Sequence, residues 1–182
     1  MDKEKIDMLN DENAEGVATE YAAKTLDSET TCVKVLENLG PLLTSENLGK
    51  RKIGVKFLSH YLSKLEKGTL NETECQLFAK FYQDRLNDHH SLIPLIIRGI
   101  LAIFQFENLK SADLCSNFRA FFTQIHTQSQ VVSDRRCVFL IFEDLLKQRI
   151  EDIKPLGSEF VLAFVQSVDA EKDPVNMNII FG

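Results

Sequence analysis

The chain has no tryptophan and, among its 182 residues, only four prolines and eight glycines. So few chain-breaking residues exclude collagen-like and Pro/Gly-rich low-complexity proteins. The sequence also lacks a phosphate-cradling glycine loop, a nucleophile elbow and an HExxH helix. The chain therefore contains no motif that would identify a hydrolase or a nucleotide-binding protein. What is abundant instead is phenylalanine, with 13 residues, which is typical of repeated packing between helices.

No segment has the length and apolar character of a membrane span. The longest apolar run, residues 92–106, contains Arg98 and is about 15 residues long, whereas a spanning helix needs about 20. The first residues, MDKEKIDMLNDENAEG, are charged and have no apolar core, so they do not form a secretory signal. We therefore predict a protein of the cytoplasm and nucleus with no membrane partner.

The four cysteines do not form a metal-binding or cluster-binding set. Cys32, Cys75, Cys115 and Cys137 are dispersed along the chain, and no two of them make a CxxC pair. In a reducing compartment, cysteines of this kind are predicted to be core thiols. The sequence thus predicts no bound cofactor.

The negative charge is concentrated at the N-terminus. Residues 1–30 contain nine acids and three bases, whereas the rest of the chain is balanced, with 18 of each. Without a basic surplus to neutralise phosphates, direct binding of nucleic acid is disfavoured. We interpret residues 1–14 as a flexible acidic tail and residues 15–182 as one repeat domain.

Four stretches begin a helix in a similar way, at Gly49, His89, Ser133 and Lys172. Their spacing is about 42 residues, and two helices per unit of this length indicate HEAT or armadillo repeats. The pattern predicts an all-α fold, a right-handed α-solenoid of HEAT-type hairpins with about 3.5 repeats. Such repeats form extended protein-binding surfaces, so we expect a scaffold and not an enzyme.

Helix-start residues and the spacing of apolar residues predict the helical hairpins. Asn71 and Glu74 form a capping-box pattern at one helix start, and Pro174 after Asp173 marks another. The second helix of the second hairpin is apolar on nearly all sides and is predicted to be the most buried element. The predicted helix pairs are 29–43 (interrupted near Gly40-Pro41) with 48–65, 71–86 with 90–106, 111–126 with 133–153, and a last pair opening at 157–158 and at 174.

One tripeptide, Asp88-His89-His90, resembles a motif of metal-dependent phosphoesterases. Such sites need further carboxylates or histidines from strand ends, and no strand pattern surrounds it, so we interpret it as an inter-helix turn and cap. The segment Asp134-Arg135-Arg136 is interpreted as an ion-pair contact between repeats. No catalytic residue, cofactor-binding residue or metal ligand is therefore predicted.

The residues that mark the repeats also resemble a known family. The chain from about Val33 to Phe181 is similar to the N-terminal region of the HEAT-repeat scaffold family of cytosolic iron–sulfur protein assembly. That family is named for methyl methanesulfonate sensitivity and is described as regulating nucleotide excision repair and transcription. The acidic start, residues 1–14, departs from the resemblance. The segments that carry it are Leu36–Leu62, Phe81–Ile103, Ile125–Arg136 and Leu156–Asn176, with RLNDHH and DAEKDP as the most specific pieces.

The resemblance implies a non-enzymatic adaptor that helps deliver iron–sulfur clusters to apoproteins of DNA replication, repair and transcription. The implied partners are a beta-propeller protein, a small assembly factor and client apoproteins such as DNA helicases and polymerases. No family residue for metal ligation corresponds to a position in this chain.

Three alternatives stay open at this point. The first is a generic HEAT-repeat adaptor unrelated to iron–sulfur assembly. The second is a metal-dependent hydrolase built on Asp88, His89 and His90, and the third is a non-binding truncated form. The last helix pattern stops after Ile179, Ile180 and Phe181 without the polar cap that a solenoid needs. We therefore expect a fragment of a longer solenoid.

Overall fold

The computed structural model describes the backbone of residues 3–182 and the side chains of residues 5–182. Over this range the chain forms eleven α-helices and three short 3-10 turns, and it has no strand. The prediction of an all-α fold is confirmed. The helices are α1 Lys3–Asp7, α2 Ala14–Leu26, α3 Cys32–Leu43, α4 Leu48–Ser63, α5 Glu72–Arg85, α6 Ile93–Phe104, α7 Ser111–Gln124, α8 Val132–Gln148, α9 Ile150–Ile153, α10 Ser158–Val168 and α11 Pro174–Phe181; the 3-10 turns are His90–Leu92, Thr127–Ser129 and Lys154–Leu156.

The helices pack mainly against near neighbours in the sequence. One layer consists of α2, α4, α6, α8 and α11, each of which contacts the next. The other layer contains α5, α7 and α9, which also pack in succession, while α3 packs on α4 and α5 packs on α6. The apolar stripes of both layers meet in one hydrophobic core that extends from Ile6 to Ala163.

The helix starts follow local capping chemistry. Asn71 and Glu74 form the complete capping box, in which each side chain accepts a hydrogen bond from the other residue's backbone N–H. Asp173 caps α11 by accepting from the backbone of Asn176, with Pro174 at the first helical position. Both predicted starts are confirmed, because a cap depends only on residues within one turn. The helix α6 is buried along most of its length, as predicted.

Two predicted helix boundaries are wrong. The helix predicted over residues 133–153 breaks at Arg149, after which the short α9 begins. The Arg149 guanidinium leaves the helix surface to donate to the backbone oxygens of Phe106 (2.7 Å) and Leu109 (2.5 Å) in the preceding hairpin. The interruption expected near Gly40-Pro41 is absent, since α3 continues through Pro41 to Leu43.

The described part of residues 1–14 packs on the helical body. Ile6 and Leu9 are buried, and α1 lies against α3. Lys56 of α4 donates to the backbone oxygen of Asp11 at 2.6 Å. Residues 1 and 2 of the predicted flexible tail lie outside the described residues, and the division of the chain at residue 14 stays a prediction. The apolar contacts of Ile6 and Leu9 were hidden in the sequence by the surrounding charges.

Helices α5 and α6 approach each other closely at Gly99. Tyr82 is fully buried, and its hydroxyl lies 2.9 Å from the Ser59 hydroxyl, which donates to the backbone oxygen of Leu95. The Tyr82 ring lies over Gly99, so a Cβ at residue 99 would be 2.1 Å from ring atom Cε1. Glycine at this position therefore lets the aromatic ring contact the α6 backbone.

We expect Gly99→Ala to destabilise the fold by about 1–3 kcal/mol or more, because the added methyl group forces the buried ring to move. The matched control is Gly40→Ala in α3, where a Cβ would meet no atom within 4 Å. Because alanine is the better helix former, the control should be neutral or stabilising by up to about 1 kcal/mol. Urea unfolding of the two variants checks this, and equal midpoints would contradict the close approach of Tyr82 to Gly99.

Candidate functional site

The Asp88-His89-His90 tripeptide lies in the turn between α5 and α6. The Asp88 carboxylate accepts two hydrogen bonds from Arg51 of α4, at 2.9 and 3.2 Å, and one from Arg85 at 2.8 Å. His89 Nδ1 accepts from the backbone N–H of Ser91 and so caps the 3-10 turn that precedes α6. The structure thus places the tripeptide where the turn interpretation expects it, with its carboxylate held by two arginines.

These residues do not converge on a common centre with other metal ligands. Among the side chains of residues 5–182, no group of three His, Cys, Asp or Glu is arranged to hold a metal ion. Cys32, Cys75 and Cys115 are buried and Cys137 is half-buried. Burial raises the pKa of all four thiols, for Cys75 to about 11. Thiols of this kind stay protonated at neutral pH and are poor nucleophiles.

A second arginine makes an equivalent contact two hairpins further along the chain. Arg135 of α8 donates two hydrogen bonds to Glu171, at 2.7 and 2.9 Å. Glu171 has a fully buried side chain and also accepts from the backbone N–H groups of Lys172 and Asp173 and from Asn176. Arg136 forms a longer ion pair with Asp173, at 3.6 Å. The predicted ion-pair contact of residues 134–136 is therefore present.

Arg51 and Arg135 occupy the same position in the architecture. Each lies in the first turn of a helix of the α2–α11 layer and pairs with an acid in the turn before the next helix of that layer. Each also donates to a backbone oxygen of its own preceding turn, in Ser45 or Gln130. These arginines therefore join successive hairpins.

The acid partners make the fold sensitive to low pH. Burial alone would raise the pKa of Asp88, but hydrogen bonds from Arg51, the His89 backbone and Arg85 hold this pKa at about 2. The Arg135 hydrogen bond, opposed in part by burial, also holds the pKa of Glu171 well below its usual range. Both carboxylates have folded-state pKa values below their unfolded-state values. Their contribution to stability is therefore complete above about pH 4 and is lost as the pH falls towards about 2.

We expect the free energy of unfolding to fall as the pH is lowered through this range, and to fall less steeply in Asp88→Asn and Glu171→Gln. Each substitution removes one carboxylate that must be protonated during acid unfolding. Urea titrations at several pH values check this. An unchanged slope in both variants would show that other acids dominate the acid sensitivity.

A groove lies on the outer side of the α2–α11 layer, where α4 meets α6. Its volume is about 280 Å³. Leu95, Leu101 and Ala102 give the groove an aliphatic part, and its polar or charged lining includes Glu15 on α2, Lys56 and His60 on α4, and Arg98 and Gln105 on α6. Burial lowers the pKa of His60, whose Nε2 lies 3.0 Å from the Thr19 hydroxyl. This groove is the candidate binding surface in the described part of the chain.

Sequence reasoning did not identify this groove or the partners of the arginines. Lys56 and Arg98 belong to different hairpins, and nothing in their local sequence shows that they share a surface. One signal was available for Glu171, which precedes Lys172 and Asp173 at a predicted helix start. An acid at such a position can accept several backbone N–H groups.

The chain is similar to known proteins over most of its length. A family model described as "MMS19_N: Dos2-interacting transcription regulator of RNA-Pol-II" matches residues 36–182. A protein named "MMS19 nucleotide excision repair protein homolog" from Danio rerio is 35% identical over 176 residues, which cover 92% of this chain and 17% of that protein. The proteins of the same name from Xenopus laevis and Homo sapiens are 34% and 33% identical, over 90% and 92% of this chain and 16% of each relative.

The chain thus spans about a sixth of the length of these relatives. No helix in the part of the chain that the structure describes combines the length and the apolar character required to cross a bilayer. The aligned region includes both arginine–acid contacts and the helices α4 and α6 that form the groove.

Proposed function

The chain belongs to the MMS19 N-terminal family, and from this premise we propose that it is a non-enzymatic scaffold of cytosolic iron–sulfur protein assembly. It would help deliver iron–sulfur clusters to apoproteins of DNA replication, repair and transcription. The observation that carries the proposal is the family match over residues 36–182. The clusters are cargo in this proposal, and no residue of the chain is assigned as their ligand.

We propose that the helical hairpins form a right-handed α-solenoid of HEAT type with about 3.5 repeats. Two observations support this architecture. The helices α2, α4, α6, α8 and α11 contact one another in succession, and the Arg51–Asp88 and Arg135–Glu171 pairs join successive hairpins at sequence separations of 37 and 36 residues. Repetition of one contact at nearly one interval is typical of repeat proteins, in which each unit contacts only its neighbours.

The proposed partners are a beta-propeller protein and a small assembly factor of the same pathway, together with client apoproteins such as DNA helicases and polymerases. The names of the relatives refer to nucleotide excision repair, and the family description refers to transcription. Maturation of cluster-containing repair and transcription helicases would account for both names. Such clients act in the cytoplasm and nucleus, where we propose that this chain acts.

The absence of an enzymatic role is part of the proposal. The tripeptide Asp88-His89-His90, which raised the alternative of a metal-dependent hydrolase, has its carboxylate held by Arg51 and Arg85. His89 is engaged with Ser91 in the same turn. These contacts support a structural role for the tripeptide, and a scaffold needs no further chemistry from it.

The test is affinity purification of the tagged 182-residue chain from cells, followed by mass spectrometry. A tagged full-length relative, such as the one from Danio rerio, is the positive control, and the tag alone is the negative control. Recovery of iron–sulfur apoproteins or assembly factors with the chain is the expected result. Recovery of neither from a folded chain, when the full-length control captures both, would overturn the proposed binding role of this region.

A further inference from the structure

The helix α4 and the residue that follows it carry the most one-sided charge of the chain. Residues 48–64 contain five basic residues and no acid, in a chain whose net charge is -6. The neighbouring helix α6 contains Arg98 and no acid. Of the five bases, Arg51 forms an ion pair with Asp88, whereas Lys50, Lys52 and Lys64 are exposed. Helix α4 is therefore locally positive on an acidic protein, and Glu15 of α2 is the one acid among the described residues that line the α4–α6 groove.

One end of this basic surface is already paired with an acidic segment of the same chain. The Lys56 ammonium group donates to the backbone oxygen of Asp11 at 2.6 Å and contacts its carboxylate at 3.3 Å. The Glu15 carboxylate lies 4.0 Å from the same ammonium group. Residues 11–15 thus show which chemistry the α4 surface accepts, namely an acidic polypeptide segment.

The other end of the groove presents a cation with a distant partner. The Arg98 side chain is 47% exposed, and its ion pair with the buried Asp134 spans 3.9 Å, which is longer than a hydrogen bond. A guanidinium group offers five N–H donors in a planar fork that matches a carboxylate. Arg98 can therefore accept an additional carboxylate from outside the chain.

The floor of the groove distinguishes between two classes of acidic partner. Leu101, together with the nearly buried Leu95 and Ala102, provides an aliphatic surface, and no Phe, Tyr or Trp side chain lines the groove. Single-stranded nucleic acids bind largely through bases that stack on aromatic side chains. An acidic polypeptide can instead place aliphatic side chains on this floor while its carboxylates contact the rim. Protein is therefore the class of partner that the groove favours.

We propose that the groove between α4 and α6 binds a short acidic segment of a partner protein. A carboxylate of that segment contacts Arg98, and a neighbouring aliphatic side chain lies on Leu95, Leu101 and Ala102. The biological role of this partner rests on the proposed scaffold function. The binding chemistry itself rests on the groove.

The test measures fluorescence polarisation of a labelled synthetic peptide, in which Glu and Leu alternate, as the purified 182-residue chain is added. The matched peptide has Gln in place of each Glu. We expect the Gln peptide to bind at least about tenfold more weakly, because it loses every charge-assisted carboxylate contact. Raising the salt concentration should weaken the Glu peptide and leave the Gln peptide nearly unaffected.

The protein variants locate the contact. Arg98→Gln should weaken binding of the Glu peptide about tenfold. The control Lys80→Glu changes a 68% exposed cation on α5, in the other layer, and should bind as the unchanged chain does. Thermal melts of all variants verify folding, and the comparison of the two peptides on the unchanged chain does not depend on any variant.

Two outcomes would overturn the inference. One is equal binding of the Glu and Gln peptides, and the other is a labelled single-stranded oligonucleotide that binds as tightly as the Glu peptide and equally loses affinity in Arg98→Gln. Failure here is distinct from failure of the proposed function. If the purification from cells still captured iron–sulfur apoproteins and the peptides did not bind, only the groove would be discarded and the scaffold role retained.

Discussion

A chain carrying Phe121→Asp is expected to be unfolded at room temperature. Phe121 is completely buried in α7, and its ring packs edge-on against Phe122 with a centroid separation of 4.8 Å. Truncating a buried phenylalanine costs about 3–5 kcal/mol, and burying an unpaired carboxylate adds several kcal/mol more. The sum is comparable to the entire stability of a typical domain, about 5–15 kcal/mol.

Circular dichroism during heating measures the effect. The matched control is Leu77→Asp on α5, where the original side chain is 49% exposed, and this variant should melt cooperatively near the temperature of the unchanged chain. A Phe121→Asp variant with the same melting temperature as the control would show that α7 does not pack as described. Leu95→Asp, which changes a second buried side chain on α6, is expected to unfold the chain for the same reason.

The second large effect is expected for Arg135→Ala. This change leaves the fully buried Glu171 carboxylate without its arginine, and removing one member of a buried ion pair costs about 3–5 kcal/mol. The adjacent Arg136 is 39% exposed, lies 3.6 Å from Asp173 and donates to Asn176 at 3.2 Å, so Arg136→Ala should cost less, about 1–2 kcal/mol. Free energies of unfolding from urea titrations compare the two neighbours directly.

A double variant separates the ion pair from the loss of arginine packing. In Arg135→Met with Glu171→Gln, the buried charge is gone, and the glutamine oxygen can still accept the backbone N–H groups of Lys172 and Asp173. Most of the lost stability should therefore return. If the double variant were as unstable as Arg135→Ala, the hydrogen bonds that Arg135 donates to Glu171 and Gln130, and not the unpaired charge of Glu171, would account for the lost stability.

Residues close in sequence determined the features that were predicted correctly. Asn71 and Glu74, or Asp173 and Pro174, start their helices through contacts within one turn. The apolar character of residues 93–104 was sufficient to identify α6 as a buried helix. Local propensity and periodicity carry this information, because a cap or a stripe is complete within about two turns.

The incorrect boundaries arise where a distant residue competes with the local preference. The sequence around Arg149 favours a continuous helix, but its guanidinium binds backbone oxygens of Phe106 and Leu109, about 40 residues earlier. The burial of Ile6 and Leu9 likewise depends on contacts that no local window contains, such as the packing of α1 on α3.

The sequence by itself determined the class of the protein. The recurrence of helix starts and apolar stripes specified an all-α chain of successive hairpins, since each helix can bury its stripe only against a neighbour. The tertiary structure alone decided which charges meet. It paired Arg51 with Asp88 and Arg135 with Glu171, and it brought Lys56 and Arg98 from separate hairpins to one groove. Such pairs depend on the stacking angle and register between hairpins, which are set by side-chain packing across the whole core and have no signature in any local stretch of sequence.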